Sequence, residues 1–289
     1  MRLKDKVAIV TGGGSGFGEG IARRFAQEGA KIVVSDINGD GAKRVADVIT
    51  QQGGKAIHIK GDVAKRADVK AMVKAALDAH GRVDIMVNNA GVTHRNQPML
   101  DVPEEMFDKI FAVNVKAIYL STMEVVPLFR KQGGGVIINT ASTAGLRPRP
   151  GLTWYNASKG AVITMTKSMA VELAPEKIRV NALCPVAGET GMLSEFMGGD
   201  TPENRAKFKA SIPLGRLSTP EDIANAALYL ASDEASLITG VAFEIDGGRC
   251  IKSSIQLNRA RADLRSAPTR KTIPCRGGSK TRPRAVLPL

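Results

Sequence analysis

Two rhythms of apolar and polar positions alternate along this chain. Short runs dominated by apolar, often β-branched residues occupy 6–10, 31–35, 56–60, 85–88, 136–140, 179–183 and 242–245, as strands buried on both faces do. Between them apolar residues return at helical spacing, as Ile21, Ala22, Phe25 and Ala26 do after the first run. Strands and helices therefore alternate, which predicts an α/β fold, a doubly wound parallel sheet of seven strands in a single domain. Ligands of such sheets lie beyond the carboxyl ends of the strands, where Gly12 to Gly18, Asp36, Asp62, Asn89, Ser142 and Pro185 all fall.

The first run ends in Thr11-Gly12-Gly13-Gly14-Ser15-Gly16-Phe17-Gly18 and leads into a helical pattern. Such a turn aims backbone N–H groups at a pyrophosphate at the positive end of the helix, and glycines leave room for its approach. The second run ends in Asp36, about twenty residues beyond the turn, where a carboxylate accepts hydrogen bonds from an adenosine ribose. Together these predict a Rossmann-type dinucleotide site. Further along, Ser142 precedes Tyr155 by thirteen residues and Lys159 follows four later. Positions i and i+4 share one helix face, so the ammonium can sit beside the phenol. A free tyrosine titrates near ~10, and a neighbouring cation favours the phenolate, so Lys159 is expected to lower the pKa of Tyr155. The Ser142 hydroxyl can hold a substrate oxygen that gains or loses charge.

Thr11-Gly12-x-x-x-Gly16-x-Gly18, Asn88-Asn89-Ala90-Gly91, Asn114, Ser142, Tyr155-x-x-x-Lys159 and Pro185 to Thr190 occur in that order. They resemble the motifs of the short-chain dehydrogenase/reductase family from about Leu3 to Gly248. The later segments are similar to its 3-oxoacyl-carrier-protein reductase and glucose dehydrogenase branch. The resemblance implies a catalytic set of Asn114, Ser142, Tyr155 and Lys159, with Tyr155 as general acid/base. It implies that Lys159 also holds the nicotinamide ribose, and that Asn114 disturbs its helix and holds a water linking Lys159 to solvent. Asp62 and Val63 would meet the adenine, although Asp62 reads equally as a helix cap. Asn89, Ala90 and Gly91 would line the cofactor, with the asparagines also able to fix the central sheet. Ser15, Phe17 and Ile37 join the cofactor set, Pro185 and Val186 lie near the nicotinamide, and Thr190 holds its carboxamide. Val186 departs from the glycine that the family often has after that proline.

Asp36 welcomes a ribose diol and repels a 2′-phosphate, and neither Ser15 nor Ile37 adds a cation, so NAD is the expected cofactor. The expected activity is NAD(H)-dependent interconversion of a secondary alcohol and a ketone. The alternative is an NADP(H)-dependent 3-oxoacyl-carrier-protein reductase. Residues 146–154 and 188–213, with Met192, Leu193, Phe196, Met197 and Phe208, read as lids over a small-molecule substrate; Arg147 and Arg149 could meet an anionic group or point to solvent.

Composition changes the picture only at the end of the chain. Of the net +13, residues 250–289 carry +9, from ten Lys and Arg against one acid, which leaves +4 for the catalytic domain at 1–249. This basic tail holds Pro268, Pro274, Pro283 and Pro288 and no aromatic residue, and reads as a disordered appendage, an altered reading frame or an added extension. Polyanion binding through it is the non-enzyme alternative, and no specific nucleic-acid partner is expected. Cys184, Cys250 and Cys275 are far apart without a histidine cluster, so neither a disulfide framework nor a metal site is expected. No uninterrupted apolar run approaches the ~20 residues of a membrane span and the first ten residues already read as a strand, so the expected location is cytoplasmic, without a membrane partner. Ala157, Ala161, Met165, Ser168 and Met169, together with the final strand near Phe243, predict a homotetramer or homodimer.

Overall fold

The computed structural model describes residues 1–251, and the expectations for the tail beyond them lie outside the described residues. Seven parallel strands form one sheet: β1 (Val7–Thr11), β2 (Lys31–Asp36), β3 (Lys55–Lys60), β4 (Ile85–Asn88), β5 (Gly135–Thr140), β6 (Ile178–Pro185) and β7 (Ala242–Ile245). Their spatial order is β3-β2-β1-β4-β5-β6-β7, so the chain works outward in both directions from β1. Val10 pairs with Val34 on one side and Val87 on the other. The crevice at this switch point, beyond the ends of β1 and β4, is where an open α/β sheet binds ligands.

β1 is buried at every position, because helices cover both faces of the sheet and no polar side is needed. Its alternate residues feed two cores. Ala8 and Val10 pack with Ile21 and Phe25 of α1 (Gly16–Gln27), Val45 and Ile49 of α2 (Gly39–Gln51) and Leu228 of α9 (Pro220–Ala231). Val7 and Ile9 pack on the other face with Val69 and Met72 of α3 (Arg66–His80), Val126 and Phe129 of α5 (Ala117–Gln132) and Leu173 of α6 (Thr153–Leu173). Burial of each of the larger of these side chains contributes about 1.5–3 kcal/mol.

α4 (Glu104–Phe111) runs into α5 through a π-turn at Ala112–Lys116. The whole stretch Glu104–Gln132 is long and apolar enough to cross a membrane by length and composition. Its Ile118, Leu120, Val125, Val126 and Phe129 are buried in the domain, which accounts for their apolar character. Between β6 and α9, α7 (Leu193–Met197) and α8 (Pro202–Ala210) accompany a small core of Val186, Leu193, Ile212 and Leu217. At the other end, Cys250 N donates to Asp246 Oδ2 at 2.6 Å and Ile251 N to Gly248 O at 3.2 Å, so the first two residues assigned to the tail still bond to the domain.

Candidate active site

One cavity of about 430 Å³ follows the carboxyl ends of the strands. Gly12, Ser15, Gly16, Phe17, Asp36, Ile37, Asp62, Val63, Asn89, Ala90, Gly91, Ser142, Tyr155, Lys159, Pro185, Val186 and Thr190 all line it. Of the expected site residues, only Gly18 and Asn114 do not. Gly18 acts inside the turn, where a side chain would run into the carbonyl oxygen of Gly12. Gly12 has φ +61°, which favours glycine, and a Cβ there would lie 2.9 Å from Ala90 Cα.

The glycine turn is braced from three sides. Thr11 Oγ1 accepts from Asn89 N at 3.0 Å and Ala90 N at 3.1 Å, and Asn89 Nδ2 donates to Thr11 O at 3.0 Å. Asp36 Oδ2 accepts from Gly14 N at 2.9 Å and its Oδ1 from Asn38 N at 2.9 Å. Arg44 Nη2 donates to Gly14 O at 3.0 Å and to Glu19 Oε2 at 2.5 Å. The Glu19 carboxylate holds the Arg44 pKa above its ordinary value. Arg44 lies thirty residues from Gly14, and no local pattern marks it in the sequence.

Asp62 lines the cavity but does not cap a helix: its Oδ1 accepts from Ala64 N at 2.9 Å in the turn ahead of α3, whose N-cap is Lys65. The two asparagines after β4 divide the work. Asn88 Nδ2 donates to Asn139 Oδ1 at 2.9 Å and Asn88 Oδ1 accepts from Ser121 at 2.8 Å, fixing the buried sheet, while Asn89 faces the cavity.

Tyr155 and Lys159 come together on α6, each only 4% exposed. Lys159 Nζ donates to Thr140 O at 2.7 Å and lies 5.7 Å from the Tyr155 ring centroid. Ser142 caps the turn Thr143–Gly145, its Oγ accepting from Ala144 N at 3.0 Å. The expected lowering of the tyrosine pKa is not found. Burial pushes the phenol up to about 12, opposed only by the Ser142 hydroxyl. The same burial pulls Lys159 down to about 8, so the cation meant to stabilise a phenolate is itself drawn toward neutrality.

Asn114 lies in the π-turn, where Ala117 N donates to Ala112 O, five residues back. Its side chain is committed to protein. Oδ1 accepts from Val92 N at 2.9 Å, and Nδ2 donates to Val92 O at 2.9 Å and Ser158 Oγ at 3.0 Å. A second cavity of about 10 Å³ lies against Asn88, Asn114, Ser121 and Thr140, which is room for about one water. Val186, the departure from glycine, is 4% exposed in the small core that carries α7, so its side chain has a packing role.

Arg149, Leu152, Met192, Phe196 and Phe208 line the far part of the cavity. The reading in which Arg147 and Arg149 point to solvent does not hold: both are half-buried, and Arg149 faces the cavity. Lys109 of α4 also reaches the wall and was not singled out by its sequence context.

A backbone-lined turn at a helix N-terminus, a carboxylate after β2 and a Ser-Tyr-Lys cluster suit a nicotinamide dinucleotide and a hydroxyl or carbonyl beside it. This combination defines a nicotinamide-dependent oxidoreductase. A family model described as enoyl-(acyl carrier protein) reductase matches residues 12–249. Over 252 residues the chain is 51% identical to 4-formylbenzenesulfonate dehydrogenase of Comamonas testosteroni, covering 87% of this chain and 100% of that protein. Among solved structures it is similar to a 3-ketoacyl-(acyl-carrier-protein) reductase from Brucella melitensis complexed with NADH, with TM-score 0.81 and 52% identity over 86% of this chain and 100% of that one. It also matches a 7α-hydroxysteroid dehydrogenase complexed with NADH and 7-oxo glycochenodeoxycholic acid, with TM-score 0.81 and 39% identity over 86% of this chain and 95% of that one. The chain belongs to the short-chain dehydrogenase/reductase family and is an oxidoreductase that transfers hydride from CH–OH donors or to the corresponding carbonyls.

Proposed function

We propose that this enzyme uses NAD(H) in preference to NADP(H) and interconverts a secondary alcohol with its ketone through Tyr155. The observation that carries the cofactor choice is the Asp36 carboxylate on the cavity wall, held by Gly14 N and Asn38 N. A 2′-phosphate there would face a fixed negative charge, and Arg44, the cation that reaches the same turn, is already paired with Glu19. Gly12, Ser15, Gly16, Phe17 and Gly18 would shape the pyrophosphate cradle, with Asp62, Val63 and Ile37 about the adenosine. Asn89, Ala90, Gly91, Pro185, Val186 and Thr190 would surround the nicotinamide end.

In this reading Ser142 orients the substrate oxygen, and Tyr155 takes its proton in oxidation or returns it in reduction. A bound nicotinamide would supply the hydride-accepting carbon and, when oxidised, a positive charge. Lys159, oriented by Thr140, would hold the ribose and favour the phenolate. The small cavity beside Asn114 and Thr140 has room for a water, and Lys159 reaches the same Thr140 through its carbonyl, so a proton path between the two would run by way of Thr140. The substrate is a small molecule; one relative has a sulfonate in its name and a solved relative is complexed with 7-oxo glycochenodeoxycholic acid. The same reading puts the enzyme in the cytoplasm as a homotetramer or homodimer.

The reductase alternative draws support from the 3-ketoacyl reductase likeness. The solved relative bearing that name holds NADH, so the NAD preference and the reaction direction are separate questions. Steady-state kinetics with both cofactors test the choice: kcat/KM should favour NAD(H) by at least about tenfold, equivalent to ~1.4 kcal/mol. Asp36→Ala with Ile37→Arg should shift preference toward NADP(H), with some loss of affinity because Gly14 N and Asn38 N lose their acceptor. A wild-type enzyme indifferent between cofactors would overturn the assignment.

A further inference from the structure

The far part of the cavity carries a cation that the proposed chemistry does not use. The Arg149 guanidinium lies over the Phe208 ring, 4.0 Å from its centroid, and its Nη2 donates to Ser211 Oγ at 3.4 Å. Arg147 and Arg249 stand nearby: Arg147 Nη1 donates to the carbonyl of Arg249 at 2.5 Å, and Arg249 Nε is buried without a partner among the described residues. None of the three forms an ion pair with a carboxylate among the described residues. Burial and the charges of Arg249 and Arg147 pull Arg149 down to about 10, which still leaves it a cation at neutral pH.

Its position is fixed by the loop that bears it. Asn156 Nδ2 donates to Arg149 O at 2.8 Å, Asn96 Nδ2 to Pro150 O at 3.1 Å, and Gln97 N to Gly151 O at 3.0 Å. Like charges gathered in a partly buried place are costly, Asp246 near Arg249 offsets only part of that cost, and an anion relieves it further while accepting charge-assisted hydrogen bonds from the open guanidinium edge. The wall it shares with Tyr155 is apolar. Leu152, Met192, Phe196 and Phe208 form it, with the Phe196 ring 5.1 Å from that of Tyr155.

We propose that Arg149 anchors the substrate, and that the substrate is an alcohol or ketone with an apolar body carrying a carboxylate or sulfonate remote from the reacting carbon. The proposal rests on the reading that the reacting carbon sits at Ser142 and Tyr155. Arg149 here is a binding residue that acts through charge and geometry, so its loss is read in the preference between matched ligands.

Equilibrium binding of benzoate and benzenesulfonate, each against its neutral amide, in the presence of saturating NADH tests the site without requiring turnover. In the wild type, at least one anion should bind about tenfold or more tightly than its amide, and the stronger of the two identifies the headgroup. The same preference should persist in Tyr155→Phe, which separates the anion site from the tyrosine chemistry. Arg149→Met should bring the ratio close to one, and Arg149→Lys should keep part of it. Arg149→Gln replaces the methionine variant if circular dichroism shows that the latter has lost its fold. A wild-type ratio below about threefold for both pairs, or a neutral variant that retains the wild-type ratio, overturns the proposal. Anion preference that survives while no alcohol or ketone is turned over would instead count against the proposed reaction.

Discussion

The residues that matter most are two titratable groups whose burial works against their charge. Spacing identifies that Tyr155 and Lys159 meet, because i and i+4 share a helix face, but it carries no information about the dielectric around them. With the phenol at about 12 and the ammonium at about 8, the protein by itself holds the proton on the tyrosine. Because the folded value of Tyr155 lies above the free one, its neutral form stabilises the fold below pH ~10, and that contribution is lost as pH rises through about 12. Ultraviolet titration can isolate this group, since the chain has three tyrosines and Tyr155→Phe leaves two. In the protein alone, the transition lost in that variant should lie above pH ~10, and saturating NAD+ should move it down more than NADH does. Turnover of Tyr155→Phe should fall by about 100-fold or more. A Tyr155 transition near neutrality in the protein alone would mean that burial does not control the phenol.

At the level of elements, strands were legible because short runs dominated by apolar, often β-branched residues have few other solutions in an α/β chain. The run at 85–88 and the run at 242–245 coincide with β4 and β7, while β6 continues past residue 183 to Pro185. The π-turn was legible only through the family resemblance, which implies that Asn114 disturbs its helix; residue spacing does not show it, because the Asn114 side chain is held by partners outside the turn, Val92 and Ser158. Arg44 was missed for the same reason, since its role depends on α2 lying against the glycine turn. Asn114→Ala should therefore act first on architecture, removing the clamp on the Val92 peptide and costing about 1–3 kcal/mol. A urea midpoint lowered at constant slope would show it. An unchanged midpoint would mean that the π-turn is set without the amide, leaving proton exchange as the remaining reason for an asparagine there.

For the whole molecule, residues of one chain line the cavity, and large apolar side chains on its surface stay exposed among the described residues. Tyr119 and Met123 of α5 are 48% and 50% exposed, and Val171 of α6 is 80% exposed. Ala157 and Ser168 of α6 are exposed with them, whereas Phe243 lies on β7, an edge strand, at 38% exposure. These are two separate surfaces, one on the helical layer and one at the sheet edge, and self-complementary pairing through both closes a tetramer with dihedral symmetry. Light scattering at micromolar concentration should give four times the monomer mass. Phe243→Glu should reduce it to a dimer by placing a charge at the edge contact, and Met123→Glu with Val171→Glu should do so through the helical contact. Combining all three should give a monomer. A wild-type monomer would overturn the assembly, and a wild-type dimer whose mass changes with only one set of substitutions would show which surface pairs. Because the cofactor-facing residues of one chain line its own cavity, NADH affinity in these variants should stay within about threefold of the wild type. A larger loss would mean that pairing shapes the site, through α6 if it follows the helical variants and through the segment joining β6 to β7 if it follows Phe243→Glu.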